Sequence, residues 1–124
     1  MPVSFTQDIK QTDIVLMKCE GNWTVTEYET AYNEMLDYAA QAGRDIYLIS
    51  DFLDSGSVPP NVLTLAARSS RQLPENIALI VTINSSRFVS TLIDLAGKLN
   101  RELGKKNIAV RSLEEAYAEV ARRR

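Results

Sequence analysis

Ile46-Tyr47-Leu48-Ile49-Ser50-Asp51 opens on four apolar residues in succession, and that run decides how the chain is read. A strand with one wet face alternates apolar with polar residues, whereas a short unbroken apolar run fits a strand covered on both faces. Ile77-Ala78-Leu79-Ile80-Val81 repeats the pattern, so the two are expected at the centre of one sheet. Between them, residues 51–60 are rich in Asp, Ser, Gly and Pro, which predicts a loop. Residues 60–72 predict a helix with proline in its first turn. Strand, helix and strand make a right-handed β-α-β unit with parallel strands.

Toward the N-terminus, residues 3–9 alternate apolar with polar, and Ile14–Cys19 is apolar almost to its end. Two strands are expected, joined by a turn at Gln11-Thr12-Asp13 and antiparallel, because so short a connection cannot cross over. Gly21-Asn22-Trp23 ends the second strand. Thr26-Glu27-Tyr28-Glu29 has the form of a capping box and predicts a helix start. Tyr28, Ala31, Tyr32, Met35, Ala39 and Ala42 make its apolar stripe, and Gly43 stops it.

Toward the C-terminus, Asn84-Ser85-Ser86 is expected to cap a third helix carrying Val89, Leu92, Ile93, Ala96, Leu99 and Leu103, which keep helical spacing as far as Gly104. Residues 107–110 predict a short strand. Ser112-Leu113-Glu114-Glu115 repeats the capping-box pattern before a closing helix with its stripe on Leu113, Ala116, Tyr117, Val120 and Ala121. The expected fold is α/β, one domain over residues 1–124, ordered β-β-α-β-α-β-α-β-α. Its sheet is mixed and mostly parallel, with about five strands and about four helices.

Composition narrows the function. The apolar fraction of 45% is that of a chain that folds around its own core. A net charge of −2 gives no field to gather nucleic acid, and Arg122-Arg123-Arg124 suits the negative end of a helix dipole. The first residues lack a basic and an apolar leader region, no stretch approaches the length of a membrane span, and the single Cys19 has no disulfide partner. A cytoplasmic location is expected. The chain contains no histidine, which removes the commonest general base, the usual zinc ligand and the ordinary serine or cysteine triad. No Walker loop and no Gly-x-Gly-x-x-Gly string follows any strand.

What chemistry remains gathers after the central strand. Asp51 and Asp54 follow it, at the carboxyl edge where open α/β sheets bind ligands. Carboxylates there can hold Mg²⁺, and they equally serve as turn caps. In Asp54-Ser55-Gly56-Ser57 two hydroxyls flank a glycine, a turn able to cradle an anion, take a phosphoryl group or simply face water. Trp23 is either a core anchor before the first helix or a stacking platform. Phe88 and Leu95 beside Leu92 give the third helix more apolar surface than one stripe needs, to be covered by its own sheet, a partner or a second subunit.

The element order, with Val15-Leu16-Met17-Lys18-Cys19-Glu20-Gly21-Asn22-Trp23-Thr24 as an opening strand followed by glycine and a helix start, and residues 46–51 as a central strand ending in Asp, resembles the STAS fold. The likeness is nearest to its SpoIIAA-like, anti-sigma factor antagonist-like branch. In the antagonists a serine in an Asp-Ser-Ser-Gly motif takes a phosphoryl group from a partner kinase. Here the corresponding interval falls on Pro59-Pro60-Asn61-Val62, which offers no hydroxyl, and Asp54-Ser55-Gly56-Ser57 comes early. The resemblance implies a non-enzymatic regulatory module without cofactor or metal, recognising a protein partner or forming a homodimer through Asp51, Asp54, Ser55, Ser57 and Asn61. Phe88, Leu92 and Leu95 are a further interface expectation. A small nonpolar ligand or lipid held between helix and sheet is the alternative, and a histidine-free enzyme using Asp51 or Asp54 with a metal is the third reading.

Overall fold

Five strands form one sheet in the computed structural model, which describes residues 2–56, 59, 64, 65, 68, 72–84 and 106–124. They are β1 (Val3–Gln7), β2 (Ile14–Cys19), β3 (Ile46–Asp51), β4 (Ile77–Ile83) and β5 (Asn107–Val110), and their spatial order is their sequence order. β1 runs antiparallel to β2, and β2 to β5 are mutually parallel. The mixed, mostly parallel sheet expected from the sequence is the one that forms. Helix α1 (Val25–Ala42) follows β2 and helix α2 (Leu113–Arg123) follows β5. Thr64, Leu65 and Arg68 have helical backbone within the second expected helix, while the helix expected between Ser86 and Gly104 lies outside the described residues.

The unbroken apolar run of β3 is buried at every position because both faces are covered. Ile46 and Leu48 pack on the α1 side with Met17, Cys19, Met35 and Ala39. Tyr47 and Ile49 pack on the α2 side with Ile14, Val81, Ile83, Ala116 and Val120. The β3–β4 register slips between Ile46 and Tyr47, which pair with Ile77 and Leu79. That bulge skips Ala78 and lets Ile77 and Ile80 share the α1 face three residues apart.

Two local expectations need correction. The capping box of α1 is Thr24 with Glu27, where Thr26 and Glu29 were expected. Both pairs fit the Thr-x-x-Glu pattern, but Trp23 is drawn into the core immediately before Thr24, so the helix must start at Val25. Glu29 instead meets Arg68 at 2.7 Å. The second correction concerns β1, which ends at Gln7 and not at Ile9. Asp8 Oδ1 accepts from the N–H groups of Lys10 and Gln11, both at 2.8 Å, and this turn leaves Ile9 95% exposed. Gly43 ends α1 as expected, with φ of 65°. Ser112 caps α2 by accepting from Glu115 N–H, while the Glu115 carboxylate reaches past it to Arg111 N–H.

Candidate functional site

β2 and β3 are parallel neighbours, with Lys18 beside Asp51. The segments that leave their carboxyl ends are therefore also neighbours. Gly21 pairs with Ser55 in an isolated parallel bridge, one residue out of step with the strand register. Gly21 N–H donates to Asp54 C=O at 2.9 Å, and Gly56 N–H donates to Gly21 C=O at 2.8 Å. The Trp23 indole N–H completes the tie by donating to Ser55 Oγ at 2.9 Å.

Two glycines permit this closeness. Gly21 takes the left-handed region at φ 57°, which turns the chain out of β2 toward the helix. A Cβ on Gly56 would stand 2.6 Å from Asn22 Oδ1 and 3.2 Å from the Gly21 carbonyl oxygen. Neither glycine was singled out by the sequence for this pairing, because the pairing is set by strand register.

The expected site residues fall into different environments. Asp51, only 7% exposed, turns inward and accepts from Leu53 N–H at 2.9 Å, so it shapes the loop. Phe52 N–H donates to Ile83 C=O, which carries the β3–β4 pairing one residue further. Asp54 is exposed and meets Lys18 Nζ at 3.3 Å. The Lys18 ammonium is held above its ordinary pKa, first by the hydrogen bond to Asp54 and then by the charge of Glu20. Ser55 is half-buried against Trp23. Ser57 and Asn61, like Phe88, Leu92 and Leu95, lie outside the described residues.

Beneath the loop lies an aromatic floor. Trp23 is 4% exposed, with its ring centroid 5.6 Å from Tyr28 and 6.2 Å from Phe52. Tyr28 in turn stacks on Tyr32 at 5.8 Å. Burial drives the Tyr28 hydroxyl far above its ordinary pKa and pushes Tyr32 up to about 12, so both stay neutral. Burial first, and the Asp51 charge second, push the Cys19 thiol up to about 12, which keeps it protonated and unreactive at neutral pH.

Leu53 was not foreseen. It is 38% exposed at the tip of the loop, held outward by the Asp51 turn and the tie at Ser55. A second apolar residue after Phe52, immediately before the turn residues Asp54-Ser55-Gly56-Ser57, is the signal that could have found it. Lys18, the lone cation in the run Ile14–Cys19, is the corresponding signal for the ion pair. Among the described residues no group of three or more Cys, Asp or Glu side chains is placed to hold a metal ion. Farther along the same edge, Asn84, Ala109, Val110, Arg111 and Glu115 line an open cleft of about 450 Å³.

No protein-family model matches the chain, and none of the curated proteins matches its sequence. Solved structures do. The Bacillus cell fate determinant SpoIIAA in its phosphorylated form is 19% identical with a TM-score of 0.63, over 94% of this chain and 99% of that one. The anti-sigma factor antagonist SpoIIAA in its unphosphorylated form is 21% identical with a TM-score of 0.63, over 95% of this chain and 96% of that one. What is shared at this identity is the fold, which is the STAS arrangement that the element order resembles.

Proposed function

We propose that the chain is a regulatory protein-interaction module that recognises its partner through the loop after β3. The observation that carries this reading is the double tie of residues 54–56 to Gly21 and Trp23, which presents Leu53 and Asp54 outward in one fixed shape. A preorganised apolar residue beside a charged one suits association, because little loop entropy is lost on binding. The structural likeness to an anti-sigma factor antagonist supports the same reading. So does the side-chain chemistry: the chain has no histidine, and the one thiol is buried and protonated. No helix among the described residues is long and apolar enough to cross a membrane. The module works by association in a reducing compartment, without the phosphoserine motif, and Ser57 and Asn61 take part in partner binding.

The test is affinity capture from native lysate with wild type and with Leu53→Asp/Asp54→Lys. Proteins retained by wild type should be lost with the variant while the melting temperature stays the same. Capture of an identical set by both would refute the reading.

A further inference from the structure

β5 closes the sheet at the edge opposite β1, and its strand neighbour among the described residues is β4. Two hydrogen bonds fix which way its backbone points. Val110 C=O accepts from Asn84 N–H at 3.2 Å, so Val110 faces β4. Arg111 N–H donates to Glu115 Oε2 at 3.1 Å, so Arg111 faces away. Along a strand these directions alternate, which turns the N–H and C=O groups of Asn107 and Ala109 outward. Ala109 is exposed, and Asn107, Ile108 and Val110 are half-buried. Ala109, Val110 and Arg111 also line the open cleft of about 450 Å³, so the edge borders open space. Asn107-Ile108-Ala109-Val110 contains neither charge nor proline, two of the devices by which edge strands refuse a further strand.

The residues around Ala109 are self-complementary. About a two-fold axis at Ala109, an antiparallel second copy sets Ala109 against itself, Ile108 against Val110, Asn107 against Arg111 and Lys106 against Ser112. The smallest of these side chains falls on the axis, where each strand meets its own image. Ile108 and Val110 share the α2 face, so an apolar cross-strand pair forms there on either side of the axis. Lys106 lies on that face by alternation, and it forms no ion pair with another described residue. Ser112 opens α2, whose first turn carries Glu114 and Glu115, so the ammonium of one copy meets the carboxylates of the other. Arg111 lies on the opposite face of the sheet and does not oppose Lys106.

We propose that β5 is a dimerisation edge, at which a second copy of the chain adds antiparallel and makes one continuous sheet. Ala109 N–H and C=O bond the same groups of the second copy, and Asn107 N–H donates to its Arg111 C=O. The pairing of Lys106 with the first turn of α2 fixes the register. A strand of 4 residues per copy makes a small interface, so the dimer is weak and reversible. This edge is separate from the loop after β3, so the two proposals stand or fall independently.

The test is sedimentation equilibrium of the intact chain, which should show monomer and dimer in exchange. In the ¹⁵N-labelled chain the amides of Asn107 and Ala109 should gain exchange protection as concentration rises. Ala109→Pro removes an outward N–H without touching the β4 ladder, and should leave a monomer with the far-UV spectrum retained. Lys106→Glu should raise the dimer dissociation constant about three- to tenfold, and Lys106→Glu/Glu115→Lys should restore it. A monomer at millimolar concentration, which leaves the edge to the strand of a different protein, overturns the proposal. So does an unchanged dimer in Ala109→Pro or Lys106→Glu, or concentration-dependent protection confined to residues 3–7 or 51–56.

Discussion

At the carboxyl ends of β2 and β3, residues 54–56 are held by backbone hydrogen bonds to Gly21 and by an indole that is itself part of the core. At the opposite end of the sheet, the turn at residues 8–13 is held by side chains from the far end of the sequence. Tyr117 donates its hydroxyl to Asp8 Oδ2 at 2.7 Å, and Arg124 meets Asp13 at 3.1 Å and Gln11 at 2.6 Å. The first tie uses backbone groups, a serine hydroxyl and an indole, none of which titrates near neutral pH. The second uses a carboxylate, a phenol and an exposed ion pair. The candidate site therefore keeps its shape across pH and salt, while the hairpin clamp depends on both.

The strongest test of this contrast is Trp23→Ala, which removes the core anchor of the first tie and should cost about 3–5 kcal/mol in urea denaturation. A loss below about 1 kcal/mol would mean that the ring does not anchor the loop. Gly56→Ala comes next, at about 1–3 kcal/mol, because the added methyl meets Asn22 Oδ1 and the Gly21 carbonyl. Amide exchange at Gly21 and Gly56 should quicken in that variant, and unchanged protection would show that the close approach is not needed.

The smallest effect belongs to the clamp. Its hydrogen bond to Tyr117 is the main cause holding the Asp8 carboxyl below its ordinary 3.8, so this contribution is present above that value and lost as pH falls through the lowered one. Burial first, and the bond to Asp8 second, push the Tyr117 phenol from 10.0 to about 12. That contribution is present below pH 10 and lost as pH rises through about 12. Melting temperatures of Tyr117→Phe followed across pH should show both slopes flattened. Slopes equal to those of wild type would place the pH dependence elsewhere.

Periodicity made the scaffold legible. The unbroken runs in β3 and β4, the stripe of α1 and its stop at Gly43 report which surfaces are apolar, and local spacing suffices for that. The start of α1 was displaced because two overlapping Thr-x-x-Glu pairs compete, and only the burial of Trp23 chooses between them. Of the loop expected over residues 51–60, the described residues 52–56 carry no helix or regular strand while Asp51 closes β3, and Asp51 and Ser55 could not be distinguished from Asp54 by residue type. One is buried as a turn cap, one is bonded to an indole and one is exposed.

The sequence by itself determined the mixed sheet, the order of its strands and the absence of histidine chemistry, since each rests on composition or on contacts between near neighbours. The tertiary structure alone decided the tie between Gly21-Asn22-Trp23 and Asp54-Ser55-Gly56. Residues more than thirty positions apart meet there because the parallel register sets Lys18 beside Asp51, and no local pattern encodes that offset.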